Sequence, residues 1–513
     1  MSELTQGKTG HMVGVPDGEK QCCKKGIPVI ELKDKTLFQT QAYINGQWTD
    51  SDDGAVFDVT NPADGKVIAQ VAKCGTAETR RAIEAAETAF KSWRKFTPGQ
   101  RADILYKWYE LIMANVDDLA LLLTTEQGKP LAEAAGEIKY GAAYIRWFAE
   151  EARRVYGDTI PQPANDKRLV CIKQPVGVVA CITPWNFPNA MLTRKIGPAL
   201  AAGCTVVCKP AGYTPLSALA LAELAQRAGV PAGVINLVAG STRAIGDELT
   251  GSPVVRKLTF TGSTQVGKKL IQACAGTVKK TSMELGGNAP FIVFDDADVD
   301  AAVAGAMVSK FRNAGQTCVC ANRFLVQSGI HDAFVEKFTA AIKEMKLGLG
   351  TEAGVTMGPM INTGAVADVD AMVKDALEKG GELVLGGKPS ELGPCFYEPT
   401  LITQGTKEMR VFREEIFGPV APIFTFDTDE EAVELANDTE FGLAGYFYSR
   451  DIGRVWRVAE ALDYGIVGIN EGLISNETAP FGGVKESGNG REGSKYGMDD
   501  YLEIKYMCMG GIE

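Results

Sequence analysis

Cys318 lies in Phe-Arg-Asn-Ala-Gly-Gln-Thr-Cys-Val-Cys, residues 311 to 320, a turn that follows a helix-like run from Ala301 to Arg312. A structural cysteine is usually a small apolar residue inside a regular element. This one stands where the backbone leaves an element, which is where reactive groups are presented. A thiol so placed is a nucleophile only if something takes its proton. The chain has two histidines, His11 near the N-terminus and His331 in a turn before a helix. They supply neither a Ser-His-Asp triad, nor a Cys-His pair, nor a His-rich metal site, and no metal is expected. The base must then be a carboxylate. Glu284 in Met-Glu-Leu-Gly-Gly-Asn, residues 283 to 288, follows a short strand; it is either a solvated loop residue or, if it faces Cys318, the base. Asn186 in Thr-Pro-Trp-Asn-Phe-Pro, residues 183 to 188, is held by two prolines. It is either an ordinary turn asparagine or an N–H donor for an oxyanion. Glu414-Glu-Ile-Phe-Gly-Pro419 offers Glu415 and Phe417 in a bounded loop.

Two glycine-rich runs suit a phosphate. Gly262-Ser-Thr-Gln-Val-Gly267 follows a strand-like run and opens a helix, the setting for a pyrophosphate on N-terminal amides. Lys268-Lys269 occupies the place of the magnesium-binding hydroxyl of a P-loop, which excludes a nucleotide triphosphatase. Gly488-Asn-Gly-Arg-Glu-Gly493 spells a dinucleotide fingerprint, but it follows no strand and reads as a plain flexible turn.

The elements that must position these groups fit a chain of 513 residues, 45% hydrophobic and 23% charged, long enough for two or more domains. Short strands and turns from 37 to 74, with an Asn45-Gly46 hairpin, precede helical patterns that begin at Thr76 as N-cap and run to about Val155. From Pro175 strand-like and helical runs alternate: 176–182, 204–208, 234–238 and 255–260 as strands, with helices near 190–202, 215–228, 241–250 and 265–275. A second alternating block starts at Pro290, with strands at 291–294, 322–327, 382–385, 421–426 and 465–469. Such alternation predicts α/β architecture with two doubly wound open sheets, whose strand ends bind ligands. Residues 157–173 read as an isolated hairpin around Pro163 to Asp166 and, with the strand-like segment 501–507, as oligomerisation segments.

The formal charge of −11 excludes nucleic acid and anionic membrane as partners, since there is no excess of Lys and Arg. No apolar run approaches the ~20 residues of a membrane helix. Residues 1–36 lack a secretory apolar core and read as a flexible tail. The twelve cysteines lack the spacing of a disulfide framework, which fits a reducing, cytoplasmic setting.

Asn186 in P-W-N-F-P, Lys209-Pro, the G-S-T-x-x-G run, Glu284 in E-L-G-G-N, Cys318 in G-Q-T-C and E-E-I-F-G-P, in that order and spacing, resemble the aldehyde dehydrogenase superfamily over essentially the whole chain after residue 37. The segments 192–195, 311–313, 317–320, 474–476 and 491–497 are similar to its succinate-semialdehyde dehydrogenase branch. The resemblance implies a dinucleotide-binding domain from 37–156 and 176–286, a catalytic domain from 287–485, and oligomerisation segments at 157–175 and 486–513 of a homodimer or homotetramer. It implies that Cys318 attacks an aldehyde, Asn186 holds the oxyanion, a nicotinamide takes hydride, and Glu284 activates the water that hydrolyses the thioester. Thr183, Trp185, Lys209, Gly212, Gly262, Ser263, Gly267, Leu285, Glu415 and Phe417 are then cofactor-binding. Arg194 and Arg312, with Ser475, bind the distal carboxylate of a small anionic semialdehyde: succinate semialdehyde, with the glutarate homologue as the alternative. A non-catalytic binding protein of the same fold is the other class, and the joint presence of Cys318, Glu284 and Asn186 argues against it. NAD-preferring members often carry K-P-A-E where this chain has Lys209-Pro-Ala-Gly212, so NADP is expected over NAD, unless Tyr213 fills the space. Cys320 is a possible redox partner of Cys318.

Overall fold

A computed structural model describes residues 30–512. Its first sheet has eight strands in the order Gly488–Asn489, Lys280–Glu284, Val255–Thr261, Val178–Ile182, Thr205–Lys209, Ile235–Leu237, Ala42–Ile44 and Gln47–Thr49. The middle five run parallel; Gly488–Asn489 and Ala42–Ile44 flank them antiparallel, and Gln47–Thr49 pairs antiparallel with Ala42–Ile44. The chain winds one way from Val178–Ile182 to Ile235–Leu237, and Val255–Thr261 starts the other direction. The switch point therefore lies between the loops that begin at Thr183 and Gly262, where an open α/β sheet leaves a crevice.

The second sheet orders Glu382–Leu385, Thr400–Thr403, Val420–Phe426, Ala321–Gln327, Ala289–Val293, Ala444–Tyr448 and Ile466–Ile469, parallel except for the first. Thr400–Thr403 and Ala444–Tyr448 escape the sequence reading: the first is short and follows a proline, and the second contains a glycine that weakens strand patterning. The linker Leu285 to Asn288 joins the carboxyl edge of one sheet to the amino edge of the other, so the two edges face each other. Four helices, Thr76–Trp93, Pro98–Ala114, Val116–Gln127 and Leu131–Glu151, form the layer expected before residue 155. The last of them packs on Ala190–Ala202, the helix after the Asn186 loop. The hairpin Asp158–Ile160 with Arg168–Pro175 pairs with Leu502–Met509 in a separate three-stranded sheet.

Three expectations need correction. Gly75, not Thr76, is the N-cap, and the Glu78 carboxylate accepts its N–H at 2.8 Å. Residues 1–29 of the expected tail lie outside the described residues. Its end at 36 is wrong, because Leu32 and Leu37 are buried in the core and the Asp118 carboxylate accepts the Lys33 and Asp34 N–H groups. Finally, Gly488 to Gly493 is no flexible turn: Asn489 and Gly488 pair with Met283 and Glu284, and Glu492 is buried.

Candidate active site

Between the facing sheet edges lies a cavity of about 260 Å³. Asn186, Phe187 and Met191 wall it on one side, Thr261, Gly262 and Ser263 on another, and Leu285, Gly286, Cys318, Glu415 and Phe417 close it. Pro184 and Trp185 complete the rim, with Trp185 packed edge-on against Phe417.

The nucleophile loop is shaped by backbone that most residues avoid. Asn313, Ala314 and Gly315 all have positive φ, at 54°, 54° and 75°. The two non-glycine residues cost about 1–2 kcal/mol each. A Cβ on Gly315 would sit 2.2 Å from the Gly418 carbonyl oxygen, and one on Gly287 would sit 2.4 Å from that of Cys318. This close approach explains Gly287, where the linker between the sheets runs against the nucleophile backbone, while a Cβ on Gly286 would sit 2.9 Å from the Glu415 carboxylate. Half-buried Cys318 presents its thiol to the cavity, and among the described residues its N–H has no backbone or side-chain acceptor. Burial pushes the thiol up to about 12, with Arg194 and Arg312 pulling the other way.

The Asn186 Nδ2 donates to the Gln316 carbonyl at 2.9 Å, which ties it to the nucleophile loop and leaves its second hydrogen free. Glu284 ends its strand in a buried position with Oε2 unpartnered. Burial, then the negative charge of Glu492, push its carboxyl well up. Glu415 accepts the Gly287 N–H at 3.0 Å, and burial raises its carboxyl to about 7. Asn186 and Cys318 thus line the cavity, whereas Glu284 does not: it ends its strand one residue before the lining Leu285.

The substrate residues are placed less directly. Neither Arg194 nor Arg312 lines the cavity; Arg312 borders a separate one with Glu133 and Phe311. Arg194 is buried, stacked 3.9 Å from the Phe481 ring, with Nη1 donating to the Tyr140 hydroxyl at 3.3 Å. Its Nε forms an ion pair with Glu492 Oε2 at 2.8 Å, and its Nη2 has no hydrogen-bond partner among the described residues. Arg312 lies over the Phe187 ring at 5.3 Å and has no hydrogen bond or ion pair among the described residues. Ser475 is half-buried in a loop that reaches this region through Asn476, whose carbonyl accepts from the Tyr144 hydroxyl at 3.4 Å. Cys320 is buried and free, its Sγ directed at the Lys310 and Ala321 carbonyls at 3.5 Å, and Cys318 is also free.

Of the cofactor residues, Ser263 caps the helix Thr264–Ala275 without a side-chain bond of its own, and the hydroxyls of Thr183 and Thr261 are buried without partners. Gly267 has a packing reason: a Cβ there would sit 2.5 Å from the Leu285 side chain. Gly212 is exposed, with Phe57 at 3.9 Å the only atom near an added Cβ. Lys209 is buried, bonded only to the Pro210 carbonyl at 3.3 Å, and burial lowers its ammonium to about 8. Tyr213, next in the chain, is half-exposed, and its hydroxyl accepts from Asn362 Nδ2 at 3.2 Å.

Sequence reasoning missed Lys195 and Glu492, paired at 2.6 Å with both side chains buried. Against burial, Lys195 and Arg194 hold Glu492 below the usual carboxylate range, which keeps a negative charge beside Glu284. It also missed Tyr140 and Tyr144, which touch each other at 3.2 Å beside Arg194, and the Lys129–Glu137 pair. Their spacing gave no signal beyond an amphipathic helix.

The aldehyde dehydrogenase family model matches residues 48–507. The chain is 61% identical to glutarate-semialdehyde dehydrogenase of Pseudomonas aeruginosa, over 94% of this chain and 100% of that protein. It is also 61% identical, with the same coverage, to the NADP(+) succinate-semialdehyde dehydrogenase of Escherichia coli. The crystal structure of succinate-semialdehyde dehydrogenase from Burkholderia pseudomallei superposes with a TM-score of 0.93 at 61% identity, covering 93% of this chain and 99% of that one. With a thiol, an amide donor and a buried carboxyl gathered where two facing sheets meet, the chain belongs to the aldehyde dehydrogenase family.

Proposed function

We propose that this protein oxidises a short aldehyde bearing a distal carboxylate, succinate semialdehyde first and its glutarate homologue second, to the dicarboxylate with NADP. The observation that carries the substrate is two guanidiniums beside the nucleophile with unspent donors: Arg312 without a partner and Arg194 with Nη2 unbonded. Arg194 is buried with Glu492 as its ion partner and Arg312 is half-buried and unpaired; a carboxylate accepting from a planar guanidinium fork would use the donors that remain open. Ser475 adds a hydroxyl. Arg312→Leu should lower kcat/KM for succinate semialdehyde by ~10- to 10²-fold, the value of hydrogen bonds to a charged group. Oxidation of butanal should stay near its starting rate; an equal loss on both aldehydes would remove Arg312 from recognition. One methylene discriminates by only ~10- to 200-fold, so both semialdehydes should turn over.

The chemistry follows from the site. Cys318 gives its proton to solvent and, as the thiolate, attacks the aldehyde carbon. The second Nδ2 hydrogen of Asn186 and the free Cys318 N–H hold the oxyanion. Glu415 and Phe417, which line the cavity, would hold a nicotinamide there, and its chemistry would be to take up the hydride leaving the aldehyde carbon. Glu284 then takes a proton from water, whose oxygen attacks the thioester; the carboxylate product leaves and the Cys318 thiolate is restored.

For the cofactor, the uncapped N-terminus at Ser263 suits a pyrophosphate, and the free hydroxyls of Thr183 and Thr261 lie at the same strand ends. Lys209, unpaired beside the open space at Gly212, suits a ribose 2′-phosphate. Gly212→Glu restores a carboxylate where a phosphate would sit, and like charges in contact cost several kcal/mol. It should raise KM for NADP on the order of 10²-fold and spare that for NAD; an unchanged ratio would place the phosphate elsewhere.

The ten free cysteines among the described residues and a strand face exposing Ile504 and Tyr506 support a cytoplasmic homodimer or homotetramer, built through the separate three-stranded sheet. No helix among the described residues is long and apolar enough to cross a membrane.

A further inference from the structure

The Asn186 loop hangs from two buried side chains of opposite charge that belong to the helical layer. Lys129 Nζ is 2.6 Å from Glu137 Oε2, with both side chains 1% exposed. The same ammonium donates to the Asn186 carbonyl at 2.8 Å and sits 3.8 Å over the Phe187 ring. Of the ammonium's three donors, one goes to Glu137 and one to the Asn186 carbonyl, with the Phe187 ring beside them. The other Glu137 oxygen accepts the Asn189 and Ala190 N–H groups at 3.0 and 3.2 Å, at the start of a helix that has no side-chain cap of its own. On the opposite side, Asn313 Nδ2 donates to the same Asn186 carbonyl at 3.1 Å and to the Gln316 carbonyl at 3.2 Å. Gln127 in turn donates to Asn313 Oδ1 at 2.9 Å. The Asn186 backbone is thus pinned between the helical layer and the nucleophile loop, and neither Lys129 nor Glu137 lines the cavity.

We infer that the Lys129–Glu137 pair positions the Asn186 amide over the reacting carbon, and so sets the rate of thiol addition without contacting substrate or cofactor. The inference rests on reading Asn186 as the oxyanion donor. A buried ion pair adds little to stability over an apolar pair of the same shape, whereas a misplacement of about 1 Å costs on the order of 10²-fold in rate. Without Lys129, only Asn313 holds the carbonyl, and the loop pivots about that bond.

The experiment is a double-mutant cycle on the full chain, with kcat, KM for succinate semialdehyde, the cofactor Kd by fluorescence quenching, and the melting temperature recorded for each variant. Lys129→Met should lower kcat ~10- to 10²-fold with KM and Kd unchanged. Glu137→Gln, which keeps an acceptor for Asn189 and Ala190 but loses the charge, should do the same to a lesser degree. Asn186→Ala alone should lose ~10²- to 10³-fold, and adding either variant to it should cost almost nothing more. Equal fold losses with and without Asn186, or a loss that appears in KM or Kd, overturns the positioning role. Near-normal turnover of Asn186→Ala instead overturns the reading of Asn186 itself.

Discussion

Replacement of Cys318 by alanine should reduce oxidation of succinate semialdehyde on the order of 10⁶-fold, the scale seen when a covalent nucleophile is removed, while cofactor binding persists. No other group can take over. Cys320, two residues away, is buried and aims its sulfur at the Lys310 and Ala321 carbonyls, not at the cavity. Of the two histidines in the chain, His331 opens a different helix and is bonded to Asp332. The amide N–H of residue 318 survives the change, so what remains is binding without a covalent step. Cofactor titration by fluorescence, run beside the rate assay, checks this. Activity above about one part in 10⁴ would point to a second nucleophile.

Glu284→Gln should arrest the enzyme one step later. With no base to take a proton from water, the thioester stays on Cys318, and steady-state rate should fall by ~10²- to 10⁴-fold, the span of general-base catalysis. The intact-protein mass after mixing with substrate and cofactor should rise by one acyl group, and peptide mapping should place it on Cys318. A rate loss without the adduct would move Glu284 to an earlier step. The pH profile carries a linked sign. Thiol and carboxyl both work in their deprotonated forms, and burial raises both, to about 12 for the thiol and well above the usual range for Glu284. Activity should therefore climb as pH rises from 6 toward 9, and the acid limb should move when Glu492→Gln removes the negative charge beside Glu284.

How much of this was readable in the sequence depends on how local each signal is. Cys318, Asn186 and Glu284 sit in short segments where proline or glycine restricts the backbone, and their order along the chain carries the reaction. The alternating strands were legible for the same reason: each needs only its own few residues to declare its period. Lys129, Glu137 and Glu492 were not. A lysine before a helix and a glutamate within one read as a solvated face, because the partner that justifies burial lies elsewhere in the chain: Glu137 serves the 189–190 amides, and Glu492 serves Lys195. Gly488 to Gly493 misled for a related reason. Its glycines supply positive φ at 488, 490 and 493, which bends the chain sharply against Met283, whereas sequence alone equates such composition with looseness.

That return of the chain onto Met283 and Glu284 has a consequence for when the enzyme becomes active. Synthesis proceeds from the N-terminus, and domains fold as they emerge. Cys318, Asn186 and Glu284 are all present once residue 318 has been made, yet the edge strand beside Glu284 and the carboxylate that pairs with Lys195 arrive only with residues 488–492. A ribosome-bound chain stopped short of them has its nucleophile and lacks its finished base. What unfinished protein lacks is thus the step that frees Cys318 from its acyl group, and the segment that completes the site leads through Lys495–Tyr501 to the strand Leu502–Met509 of the separate sheet.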